Sequence, residues 1–108
     1  MVKKFIVDKL IMDVVQKYIE KICENYKIEA IILFGSYAKG TSYESSDIDI
    51  AIITYDFEND LIDEELNLIR LRRKIDTRIE PHLIRTPDYK QASTPFIQEI
   101  IKTGIKVA

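Results

Sequence analysis

One cysteine in 108 residues, Cys23, leaves no possibility of an internal disulfide and suits a reducing compartment. Set in a helical pattern, it is expected to be a small buried apolar residue rather than a nucleophile. One histidine, His82, cannot build a metal centre alone and is expected on a strand near the cleft. No apolar run is long enough to span a bilayer. Val2, Lys3 and Lys4 soon meet Asp8 and Asp13, which is not the pattern of an export signal. Charge of one sign is missing too: 16 basic and 18 acidic residues leave a net charge of −2, with no bulk attraction for nucleic acid. There are no repeats, low-complexity tracts or linkers. The expectation is one cytoplasmic domain spanning residues 1–108, with no membrane and no direct nucleic-acid contact.

What is present is a core. Apolar residues make up 46% of the chain, many of them isoleucine, which suits strands and packs well on helix faces. Between Asp8 and Tyr26, Leu10, Ile11, Val14, Val15, Tyr18, Ile19 and Ile22 recur at helical spacing. Ile28 to Phe34 is a nearly continuous apolar run ending at Gly35, the signature of a strand buried on both faces. Tyr37 to Ser46 reads as a short helix or turn with a loop, and Asp47 to Thr54 as a second strand. Asp60 to Lys74 is a helix with an acidic start and a basic end; Leu61, Leu66, Ile69 and Ile62 are expected to face inward. Arg78 to Ile84 is a third strand, and Thr94, Pro95 and Gly104 bracket a last helix as N-cap, first-turn proline and stop. This order describes an α/β or α+β domain, a small mixed sheet with helices packed on it.

The chemistry lies in Phe34-Gly-Ser-Tyr-Ala-Lys-Gly-Thr-Ser-Tyr-Glu-Ser-Ser-Asp-Ile-Asp-Ile. Gly35 lets the backbone approach a ligand closely, and free amides at a helix start, together with the Ser36 hydroxyl, can hold phosphate oxygens. Asp47 and Asp49 are two apart on a strand, so both side chains leave one face. Adjacent carboxylates repel unless a cation lies between them, and Mg²⁺ bridging to substrate phosphates suits such oxygen ligands. The alternate residues Ile48 and Ile50 point into the core and fix the register. Lys39 is either a phosphate neighbour or solvated, Tyr37 and Tyr43 either stack on a base or only pack, and the Arg70–Lys74 run reads as a solvated helix end or as a holder of phosphates or an acidic partner.

Gly35-Ser36, the spacer from Tyr37 to Ser46, and Asp47-Ile48-Asp49 together resemble the signature of the DNA polymerase β-like nucleotidyltransferases. The whole chain is similar to the minimal, MNT-type members. That resemblance implies a triphosphate held by Gly35 and Ser36, and metal on Asp47, Asp49 and a third carboxylate from a neighbouring strand. Glu80, in Arg78-Ile79-Glu80-Pro81-His82, matches that position, and Asp76 is the alternative. Two magnesium ions are then expected, with Glu80 the nearest candidate base for the acceptor hydroxyl. Small proteins of this pattern also resemble the antitoxin half of HEPN/MNT toxin–antitoxin pairs. This implies transfer of AMP from ATP to a tyrosine of a partner HEPN toxin, in a type VII-like system. Three readings stay open: that transferase, a catalytically silent antitoxin that inhibits by binding, and an accessory subunit active only with a helical partner.

Overall fold

The computed structural model describes residues 9–43, 45–55 and 60–108. Helix α1 (Lys9–Asn25) leads into strand β1 (Ile28–Phe34), a one-turn helix α2 (Ser36–Lys39) and strand β2 (Ile48–Thr54). Helix α3 (Leu61–Leu71) continues into a 3-10 turn (Arg72–Lys74) and strand β3 (Ile79–Arg85). Helices α4 (Thr86–Lys90) and α5 (Pro95–Thr103) and the short strand β4 (Ile105–Lys106) complete the chain. The sheet runs β3-β2-β1-β4, with β2 parallel to β3 and both outer partners of β1 antiparallel to it. It is the small mixed sheet with packed helices expected from the order of elements.

Strands β1 and β2 lie inside the sheet and are covered by helices on both faces, which is why they read as continuous apolar runs. On one side Ile31, Leu33, Ile48, Ile50 and Ile52 pack against the stripe Ile11, Val15, Tyr18 and Ile22 of α1 and against Leu68 of α3. On the other, Ala30, Ile32, Ala51 and Ile53 meet Ile97 and Ile100 of α5. Full burial of an isoleucine contributes about 1.5–3 kcal/mol, so these two layers hold the strands in register. Helix α5 starts where the sequence marks it: the Thr94 hydroxyl accepts from the Ile97 amide at 3.1 Å, with Pro95 at the first helical position.

Three expectations need correcting. Cys23 is exposed: it follows the fully buried Ile22, and one residue turns about 100° around a helix, off the packed stripe. Leu10, one residue before buried Ile11, is 74% exposed for the same reason. In α3 the inward residues are Glu64 and Leu68, while Leu61, Ile62, Leu66 and Ile69 are exposed. Two links from α1 and its end set this rotation. The buried Tyr18 hydroxyl donates to the Leu68 carbonyl at 2.6 Å, and Asn67 donates to the Tyr26 hydroxyl at 2.9 Å. The expected helix start at Asp8, and Val2, Lys3 and Lys4, lie outside the described residues.

Candidate active site

Pairing across the sheet decides which chemical groups meet. Phe34 is opposite Asp49 in the antiparallel ladder, and Asp49 is opposite Glu80 in the parallel one. In the next row Ala51 is opposite His82. Side chains alternate along strands, so Asp49, Glu80 and His82 all leave the face that α5 covers further down.

The Gly35 turn fits closely against this row. Gly35 has φ +73°, a region that side-chain-bearing residues seldom enter, and a Cβ there would collide with Asp49 Oδ2. The chain then enters α2, whose first-turn amides have no partner within the helix. Ser36, Asp47 and Asp49 line one cleft of about 580 Å³, with Thr41, Tyr43 and Ser46 among its other walls. The glycine, the serine and the two aspartates of the motif are thus brought together as the spacing predicts.

The loop between them is tied to the turn that leads into β3. The Tyr37 hydroxyl donates to the Tyr43 carbonyl at 3.3 Å and accepts from Arg78 Nη1 at 3.2 Å. Ser46 Oγ accepts from the Tyr43 amide at 2.9 Å. Arg78 is itself held by Asp76, with Nη2 2.7 Å from Oδ2 and Nε 3.0 Å from Oδ1. These hydrogen bonds hold the Asp76 carboxyl below the usual carboxylate range. Asp76, the alternative third acid, therefore serves to anchor Arg78 and, through it, the loop. Tyr37 is buried and bonded rather than poised to stack on a base, whereas Tyr43 is exposed on the cleft. Lys39 pairs with Glu99 of α5 at 3.2 Å.

Glu80 is the register partner of Asp49, but its carboxylate leans toward Arg72, 3.7 Å away. Asp49 in turn lies 3.4 Å from His82 Nε2. Among the described residues, no three acidic, histidine or cysteine side chains stand close enough to hold a metal ion. The expected triad is therefore adjacent in register without being converged. The donor chemistry nonetheless suits magnesium, which usually takes one or two carboxylates and completes its shell with substrate phosphates and water. Asp47 and Asp49, on a cleft lined with hydroxyls, supply such a pair.

Sequence reasoning gave Phe34 and Phe96 no part in the site and met Arg72 only as one of a basic run. Arg72 donates to the Ile79 carbonyl at 2.6 Å and guards Glu80. The rings of Phe34, His82 and Phe96 contact one another, with centroids 5.1, 5.6 and 5.5 Å apart. A usable signal was the alternation of Arg78-Ile-Glu-Pro-His, which puts His82 on the side of Glu80. Its contact with Asp49 depends on the register between strands, which no local pattern carries.

A glycine turn packed on an acidic strand, beside a two-carboxylate cleft, defines the core of a nucleotidyltransferase. The chain belongs to that class: residues 17–108 match the polymerase β nucleotidyltransferase family. Over 78 residues it is 33% identical to the protein adenylyltransferase MntA of Shewanella oneidensis, covering 72% of this chain and 52% of MntA. A 46-residue stretch is 44% identical to a Methanocaldococcus jannaschii chain assigned as a protein adenylyltransferase, covering 43% of this chain and 54% of that one. The chain thus spans about half the length of these two relatives. In the crystal structure of a toxin–antitoxin with AMP-PNP, one chain superposes with a TM-score of 0.66 at 26% identity, covering 90% of this chain and 72% of that chain. No helix among the described residues is long and apolar enough to cross a membrane.

Proposed function

We propose that this chain is a single minimal nucleotidyltransferase domain that moves AMP from ATP to a tyrosine hydroxyl of a partner HEPN toxin, and so acts as its antitoxin in the cytoplasm. The observation that carries this reading is the fit of Gly35 against Asp49 at the mouth of the Ser36–Asp47–Asp49 cleft. A glycine obliged by its neighbour's carboxylate lets the turn pack directly on the acidic strand, which sets the start of α2 and the Ser36 hydroxyl beside the aspartates. The named activity of MntA and the nucleotide in the related toxin–antitoxin structure support the same assignment.

In this reading Gly35 and Ser36 hold the triphosphate, and Asp47, Asp49 and Glu80 are the residues that would hold magnesium. Bound magnesium supplies neutralisation of phosphate charge and of the charge that develops on the leaving oxygen. The acceptor oxygen attacks the α-phosphorus, the bond to the bridging oxygen breaks, and pyrophosphate departs. The acceptor's proton passes to Glu80, half-exposed on the strand beside Asp49. The chain's contribution is mostly position: Asp49 sits on an interior strand, paired to Phe34 on one side and Glu80 on the other.

The test is incubation with α-labelled ATP, Mg²⁺ and the neighbouring gene's product. Label on a tyrosine of that product, lost in Asp47→Ala/Asp49→Ala, is the expected result. One observation favours a second reading: Glu80 is engaged by Arg72, as it would be in a domain that binds without turnover. A tight complex with no label transferred would select that silent antitoxin.

A further inference from the structure

The fold leaves one apolar row of α3 uncovered. Ile62, Leu66 and Ile69 are 69%, 52% and 37% exposed, on the side of the helix opposite the buried Glu64 and Leu68. Scattered exposed apolar residues are ordinary, whereas a contiguous row of branched side chains marks a surface that another body covers. Steps of four and then three residues are also the seam of a two-helix coiled coil, where apolar positions recur every 3.5 residues on average. This seam has a charged flank. Asp63 and Arg70 are seven residues apart, close to two whole turns, so both project from the same side of the row. The acid lies near its start and the base near its end. Both are exposed, and among the described residues neither stands in an ion pair.

We infer that this face pairs with the same face of a second copy of the chain, the two α3 helices running antiparallel. In that arrangement Leu66 packs against Ile69 of the second copy, and Ile62 lies under the aliphatic stem of Arg73 of the second copy. The same register brings Asp63 beside Arg70 of the second copy, and two-fold symmetry repeats each of these contacts. The charge order of the helix selects both the partner and its direction. An acidic start and a basic end complement themselves when the helix is reversed, so a second copy supplies every group the flank needs. A parallel pair would lay acidic start on acidic start and basic end on basic end, with the helix dipoles aligned. At about 1.5 Å per residue α3 is roughly 16 Å long, so the shared surface is small and the dimer reversible. None of the residues lining the Ser36–Asp47–Asp49 cleft belongs to α3, so pairing through this helix is independent of the reaction assigned to that cleft.

The test is sedimentation velocity on the full chain between about 1 µM and 1 mM, with thermal unfolding at the dilute end as the control for folding. The expected result is a monomer–dimer equilibrium that Leu66→Glu weakens by about tenfold or more, while its dilute unfolding midpoint stays with the parent. Asp63→Arg acts in both symmetry-related pairs and should also weaken the dimer by about tenfold. Adding Arg70→Asp to that variant should restore it, because the opposed charges meet again with their signs exchanged. A parent that stays monomeric throughout, a dimer that survives Leu66→Glu, or a folded double variant that fails to recover would each overturn the pairing. So would a monomeric chain whose binding to the neighbouring gene's product is lost in Leu66→Glu, which would give the row to that partner instead.

Discussion

Gly35 and Asp49 constrain each other, and each is interpretable only through the other. In Gly35→Ala the new Cβ meets Asp49 Oδ2 while the backbone is held at φ +73°. An alanine at positive φ destabilises by more than about 1 kcal/mol, and here the carboxylate must also move. The expected outcome is a lower thermal midpoint and, in what still folds, a weaker Mg²⁺-dependent response to nucleotide in a fluorescence or calorimetric titration. Asp76 makes a different prediction. Its folded pKa lies below the ordinary value of 3.8 because Arg78 donates to it. A depressed carboxylate stabilises above the unfolded pKa and loses that contribution as pH falls through the folded one. Asp76→Asn should therefore cost about 1.5–3 kcal/mol in urea denaturation at pH 7, with the gap closing toward pH 2. At this scale Gly35, Ser36, Asp47 and Asp49 were legible because they flank one short connection between two strands that pair antiparallel. His82, Arg72 and Phe96 were not, since strand register and the docking of α5 bring them to the site.

Among the elements, α3 separates apolar pattern from packing most clearly. Its sequence carries two apolar stripes, and periodicity favours the one with Ile62, Leu66 and Ile69. The other wins because Leu68 sits under the hydroxyl of Tyr18 and Asn67 reaches Tyr26. Leu68→Ala should cost about 2–5 kcal/mol by denaturant midpoint, as expected for a fully buried side chain. Leu66→Glu, at a position 52% exposed, should stay within about 0.5 kcal/mol of the parent. Equal losses at the two positions would mean that the helix is rotated from the orientation described. Strand β1 and helix α5 show the opposite case. Their ends are set by local chemistry, Gly35 at one and Thr94 with Pro95 at the other, and sequence alone located them.

At the scale of the molecule, β4 is the element that sequence could not announce, because two residues carry no period. Ile105 and Val107 nevertheless pack on the core, and the Val107 amide donates to the Ile31 carbonyl at 2.8 Å while Ile31 donates to Ala108 at 2.9 Å. Removing residues 105–108 should leave β1 as an apolar edge and produce concentration-dependent association, measurable by light scattering. The opposite side of the sheet ends differently. Among the described residues, strand β3 pairs only with β2; the Ile79 carbonyl is taken by Arg72, and Pro81 has no amide hydrogen to give. A visiting backbone would find the ladder broken at the Ile79–Pro81 end of that border. Inhibitors conceived as strand mimics would lose their links at the start of β3 and would have to take hold nearer its Arg85 end.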